Sequence, residues 1–277
     1  MNVPIGIFDS GYGGLTIWDK ICKRLPEYDY AYVGDNARAP YGNRSYEIVY
    51  EFTLQAVRWL FKQNCQLIIL ACNTASAKAL RTIQLKDLPC IDPQRRVLGV
   101  IRPTVENIGR ITRTRHVGIL GTPGTISSGS YPLEIKKLYP DIIVESEACP
   151  MWVPLIENNE HDKPGSDYFV QQHINNILSR DPLIDTIILA CTHYPLLKNK
   201  IHAFLPKSIK LVAQGKLIAE SLEDYLHRHP DLEARCSKNA TSRFYTTESE
   251  QKFATMASLF LKGKKIDTER INIEYAK

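Results

Sequence analysis

The string Ile-Ile-Leu-Ala-Cys occurs twice in this chain, at 68–72 and again at 187–191. Each copy follows a polar start (Gln66, Asp185) and leads into a small polar residue (Asn73, Thr192). A run of four or five apolar residues between such boundaries reads as a short strand covered on both faces, the pattern of a parallel sheet. The cysteine comes where the run ends, which places a thiol at the carboxyl edge of each strand. In open α/β sheets that edge is where ligands bind. Two equivalent thiols at two such edges limit both the fold and the chemistry.

The rest of the chain alternates strand and helix patterns. Residues 4–8 form a first strand that runs into the Gly-rich turn Asp9-Ser10-Gly11-Tyr12-Gly13-Gly14 and a helix over 15–24. Glycines there let backbone approach a ligand, and free N–H groups at a helix start favour an anion. A second strand over 30–34 ends in the loop 35–42, and a helix follows over 46–63 with apolar residues at helical spacing. After the first Cys strand come a helix over 75–85 and a polar loop over 86–96 that is expected to cross between domains. Strands are expected over 97–101, 116–122, 142–145, 210–212 and 243–247, with a last edge strand over 271–274. The fold class is therefore α/β: two similar open parallel-sheet domains related by pseudo-symmetry, with the active site in the cleft between them. Residues 1–96 and 211–277 form the first domain and 97–210 the second.

Composition removes several function classes. Thirty-five basic and 30 acidic residues leave a scattered net charge of +5, too weak to suggest nucleic acid. No apolar run approaches the roughly 20 residues of a membrane span, and none resembles a signal peptide, so a cytoplasmic location is expected. Seven cysteines with no Cys-x-x-Cys spacing argue against a disulfide framework or structural zinc.

A lone cysteine after an apolar run is ordinarily a small buried hydrophobe. Two in matching contexts ask for a joint role. A redox dithiol would keep its cysteines close in sequence, and these are 119 residues apart. A metal would need more ligands than Cys191, His193 and one distant Cys72. Two-base proton transfer remains: one thiolate removes a proton from one face of a carbon while the other thiol delivers one to the opposite face. His193 lies two residues beyond Cys191, where it can share or orient that proton. Asp9 also suits the N-cap of the first helix.

Asp9-Ser10-Gly11-x-Gly13-Gly14, Asp35…Pro40-Tyr41-Gly42, Ala71-Cys72-Asn73-Thr74-Ala75 and Ala190-Cys191-Thr192-His193-Tyr194-Pro195 together resemble glutamate racemase, in the cofactor-independent aspartate/glutamate racemase superfamily. The resemblance covers essentially the whole chain. It implies interconversion of L- and D-glutamate without pyridoxal phosphate, other cofactor or metal, supplying D-glutamate for peptidoglycan. Cys72 is implied to act on D-glutamate and Cys191 on L-glutamate, with Asp9 beside the first thiol and His193 beside the second. Ser10, Asn73, Thr74 and Thr192 match residues that bond the amino acid's carboxylates and ammonium. The Pro40-Tyr41-Gly42 stretch is implied to give backbone N–H groups to the substrate side chain. Asp35, Glu157 and Thr122 match further site positions.

Family members are often dimers, so a homodimer comes with the resemblance as an expectation. Arg102 stands where many members carry Glu, and both Ala213-Gln214-Gly215 and the stretch 227–239 look specific to this lineage. Two other readings stay open: an aspartate racemase with the same chemistry, and a non-catalytic amino-acid-binding protein of the same fold.

Overall fold

Two sheets, each with all strands parallel, carry the chain in the computed structural model, which describes residues 3–273. The first sheet contains β1 (Ile5–Asp9), β2 (Tyr30–Gly34), β3 (Leu67–Leu70) and β4 (Arg96–Gly99). The second contains β5 (His116–Gly121), β6 (Ile143–Ala148), β7 (Thr186–Ala190) and β8 (Lys210–Ala213). The chain then returns to the first sheet with β9 (Ser242–Thr246) and β10 (Thr268–Arg270). The orders are β10-β9-β2-β1-β3-β4 and β6-β5-β7-β8.

Four strands of the first sheet thus run 2-1-3-4, and the second sheet repeats that order with its own four. The pseudo-symmetry equates β3 with β7, the two strands that precede the matching cysteines. Continuous apolar runs are needed because helices cover both faces of each sheet. Ile7 faces the central core cluster while Phe8 faces the outer one of the first domain. Likewise Ile187 and Leu189 enter the central cluster, and Ile188 and Ala190 the outer core of the second domain. The central cluster draws residues from both sheets and joins the domains.

Strand pairing moves the expected domain boundaries by one strand at each crossing. β4 pairs with β3 and completes the first sheet, although the sequence pattern places all of it but Arg96 in the second domain. β8 pairs with β7 and completes the second sheet instead of returning to the first. The crossings therefore lie just after Gly99 and just after Ala213. Both are edge strands with one neighbour, so their own short apolar patterns say nothing about which sheet they join.

The stretch after Cys72 is also more helical than its composition suggests. It runs through Asn73–Lys78, Leu80–Thr82, a π-turn at Ile83–Asp87 and Leu88–Ile91. Pro89 is tolerated because it sits in the first turn of its own short segment, where an N–H is not needed. The last edge strand is Thr268–Arg270, upstream of the expected 271–274, and Glu274 lies outside the described residues. Among the described residues, no helix is long and apolar enough to cross a membrane.

Ile188 lies fully buried in the centre of β7. Ile188→Ala should lower unfolding stability by about 2–5 kcal/mol through lost burial and the cavity left behind. Exposed Leu133→Ala should stay within about 0.5 kcal/mol. Urea denaturation of both variants checks the contrast; equal losses would overturn the two-faced burial of β7.

Candidate active site

The carboxyl ends of the two sheets meet, and one cavity lies between them. Its wall includes Ser10, Tyr41, Cys72, Asn73 and Thr74 from the first domain. Thr122, Glu157, Cys191, Thr192 and His193 line it from the second.

Close approach of the domains depends on glycine. A Cβ on Gly13 would collide with the side chains of Thr192 and His193, and one on Gly14 would collide with Asp9. A second contact lies at the rim, where the Gly124 N–H donates to the Gly42 carbonyl at 2.7 Å. Thr16 adds a third, donating to the Thr192 carbonyl at 3.0 Å.

Cys72 leads the helix Asn73–Lys78, and its sulfur accepts from the Ala75 N–H at 3.5 Å. Ser10 Oγ lies 3.4 Å from the same sulfur. Burial, with the negative charge of Asp9 added to it, pushes the Cys72 thiol up to about 12. Cys72 is therefore a protonated thiol at neutral pH.

Asp9 is completely buried at the end of β1. Its carboxylate accepts from the Gly11 N–H at 3.0 Å and from Thr192 Oγ1 at 3.5 Å. Burial raises its pKa, while the charge of His193 and the N–H groups of Gly14 and Gly11 pull the other way. The helix Leu15–Arg24 starts from Gly14 with no side-chain cap, so Asp9 does not cap it.

The second thiol has a different neighbour. His193 Nδ1 lies 3.9 Å from the Cys191 sulfur, and Nε2 lies 3.0 Å from Glu157 Oε1. Burial by itself would drive this imidazole toward neutrality. Hydrogen bonds to Cys191 and Glu157, together with their charges, outweigh it and raise its pKa to about 10. A buried imidazolium thus stands beside Cys191, whereas a carboxyl group stands beside Cys72.

Such an arrangement sets two sulfurs against one small cavity, where each can reach a proton on the same bound molecule, and comparison with known proteins places it. An Asp/Glu/hydantoin racemase family model matches residues 18–242. The glutamate racemase of Dinoroseobacter shibae is 39% identical over 272 residues, covering 95% of this chain and 97% of the relative. The chain belongs to the glutamate racemase family. It is accordingly an isomerase of the racemase class. Among solved structures, a glutamate racemase isoform from Bacillus anthracis superposes with a TM-score of 0.89 at 32% identity, covering 98% of both chains. The Francisella tularensis glutamate racemase in complex with D-glutamate gives 0.86 at 34%, covering 99% of this chain and 98% of that one.

Within this racemase cleft, twelve of the fourteen residues singled out from sequence line the cavity; Asp9 and Asp35 do not. Asp9 sits one layer behind, reaching the cavity through Thr192. Asp35 is spent on structure: its carboxylate accepts from Arg38 Nε at 2.7 Å, from Thr247 Oγ1 at 2.9 Å and from the Tyr41 hydroxyl. It fixes the loop that carries Pro40, Tyr41 and Gly42. Pro40 has no N–H to offer, so it contributes only shape.

Thr74 Oγ1 reaches across the domains to Thr122 and Thr125 Oγ1, at 3.0 and 3.2 Å. Asn43, Pro123, Pro150, Val153 and Pro154 also line the cavity and were not anticipated. The prolines and Val153 bring shape without chemistry, and no residue type marks that in a sequence. Among the described residues, no cluster of three His, Cys, Asp or Glu could hold a metal.

His193 should hold its proton at neutral pH and titrate near pH 10. The folded state binds this proton more tightly than a free imidazole at 6.5. The pair's contribution to stability is therefore complete below that value and fades as pH rises toward 10. Nitrogen-15 NMR of the histidine ring checks it, and Glu157→Gln should move the titration down toward neutral pH. Titration near 6.5 in the unaltered protein would overturn the Glu157–His193–Cys191 arrangement.

Proposed function

We propose that the protein interconverts L- and D-glutamate by passing the α-proton between Cys72 and Cys191, with no carbonyl cofactor. One observation carries this reading: two buried thiols, at the ends of pseudo-symmetric strands of opposite domains, line the same cavity. A proton-transferring group on each face of a carbon is what inversion of a stereocentre requires. The family supports glutamate as the substrate, because relatives across nearly the full length carry that name.

With L-glutamate bound, Cys191 as thiolate takes the α-proton and becomes a thiol. The electron pair left behind delocalises into the α-carboxylate, and the Cys72 thiol protonates the opposite face to give D-glutamate. The reverse direction exchanges the roles. His193, cationic beside Cys191, offsets negative charge on that sulfur. Cys72 rests as a thiol, so it is set to donate; removal of its proton falls to the buried Asp9, whose charge it feels. Hydroxyls of Ser10, Thr74, Thr122 and Thr192 and the Asn73 carboxamide supply bonds to the amino acid's carboxylates and ammonium. D-glutamate made this way would enter peptidoglycan precursors in the cytoplasm, as the family resemblance implies.

Proton NMR in heavy water tests the reading with L-glutamate, D-glutamate and L-aspartate in separate tubes. The α-proton signal should vanish from both glutamate enantiomers and persist in aspartate. Cys72→Ser and Cys191→Ser should each slow racemisation by about 10²–10⁴-fold, the usual worth of a positioned acid–base group. Exchange confined to aspartate would overturn the substrate. Full activity in either variant would overturn the two-thiol mechanism.

A further inference from the structure

Asn73 adjoins Cys72 and lines the cavity, yet most of its carboxamide is engaged away from any substrate. Its Nδ2 donates to Gln214 Oε1 at 2.8 Å, and its Oδ1 accepts from the Tyr131 hydroxyl at 2.6 Å. Gln214 Nε2 in turn donates to Tyr131 Oη at 2.6 Å. The three side chains close a ring in which every member donates to the next and accepts from the one before. All three are almost wholly buried. In such surroundings an unmade bond is costly and a closed chain of bonds reinforces itself.

The direction of the ring is set from outside it. Thr104 Oγ1 donates to the Val100 carbonyl at 2.9 Å, so toward Gln214 it can only accept. Gln214 must therefore turn its amino end to Thr104, at 2.7 Å, and its oxygen to Asn73. That leaves Asn73 one orientation: amino group to Gln214, oxygen to Tyr131. One Nδ2 N–H of Asn73 then remains for a ligand in the cavity.

The location adds weight. Gln214 stands at the crossing after β8 and opens the helix Gly215–Arg228, while Val100 stands at the other crossing, after β4. One carboxamide ties together both links between the domains and the residue beside the first thiol.

We propose that Gln214 and Tyr131 are positioning residues that hold Asn73 in the orientation that presents its free N–H beside Cys72, a role that rests on the racemase reading above. Their effect falls mainly on the Cys72 half of the reaction, since Asn73 adjoins Cys72 and no hydrogen bond of the ring reaches Cys191 or His193, although Tyr131 lies within electrostatic range of Cys191.

The test uses Tyr131→Phe and Gln214→Met with α-deuterated L- and D-glutamate. The unaltered protein, assayed alongside, separates the two readings: no racemisation there would sink the function itself and this role with it. In both variants kcat/KM should fall by about tenfold or more, up to the 10²-fold that slight misplacement of a reacting group costs. Slowing the Cys72 step alone should raise the isotope effect on kcat/KM for D-glutamate and lower it for L-glutamate. Isotope effects are ratios, so any unfolded fraction cancels. A merely structural role would reduce both rates and leave both isotope effects where they were. That result, or rates within twofold of the unaltered protein, would overturn the proposal.

Discussion

The close approach of the Gly13–Gly14 turn to the Thr192–His193 step is the contact on which the cleft depends. Parallel strands bury both faces, so polar groups collect where the strands end, and here two such edges are pressed together. Asp9 ends β1 fully buried, a position that would be expensive without the N–H of Gly11 and the hydroxyl of Thr192. A methyl group on Gly13 would hold the edges apart, and one on Gly14 would push Asp9 out of place. The carboxylate, the hydroxyl and the imidazole would then lose one another together.

Symmetry of fold does not carry over into symmetry of charge. β3 and β7 occupy equivalent places in their sheets and end in the same five-residue string. One thiol nevertheless faces a buried carboxyl and is held protonated, while the other faces a cation kept charged by Cys191 itself and by Glu157. Duplicated backbone provides two matched positions, and the residues behind them provide opposite environments. A reaction that must start from either face of a carbon uses both properties.

Much of this was legible in the chain. The repeated string, the Gly-rich turn and the two motifs after the cysteines located the strands, their edges and most of the cavity wall, because apolar runs and glycine have strict physical meanings. Membership of edge strands was not legible. β4 and β8 each touch one partner, and a basic residue followed by three apolar or small ones fits either sheet equally well. The family resemblance places Asp35 in the site, but a carboxylate in such a loop has two uses, and here Arg38, Tyr41 and Thr247 occupy it, partners that no local pattern marks. Gln214 looked like local drift. Its partners Asn73, Tyr131 and Thr104 are 141, 83 and 110 residues away, and no local pattern marks such a meeting.

The rim contact between Gly42 and Gly124 is made by backbone alone. A Cβ on Gly42 would come within 2.9 Å of the Thr122 Cβ, and one on Gly124 within 2.8 Å of the Gly42 carbonyl. Evolution therefore has no graded way to adjust the cleft there: every single substitution is a wedge, and none is a small step. Drift in substrate preference has more room at wall positions that carry side chains outside the shared core, such as Asn43 and Pro150.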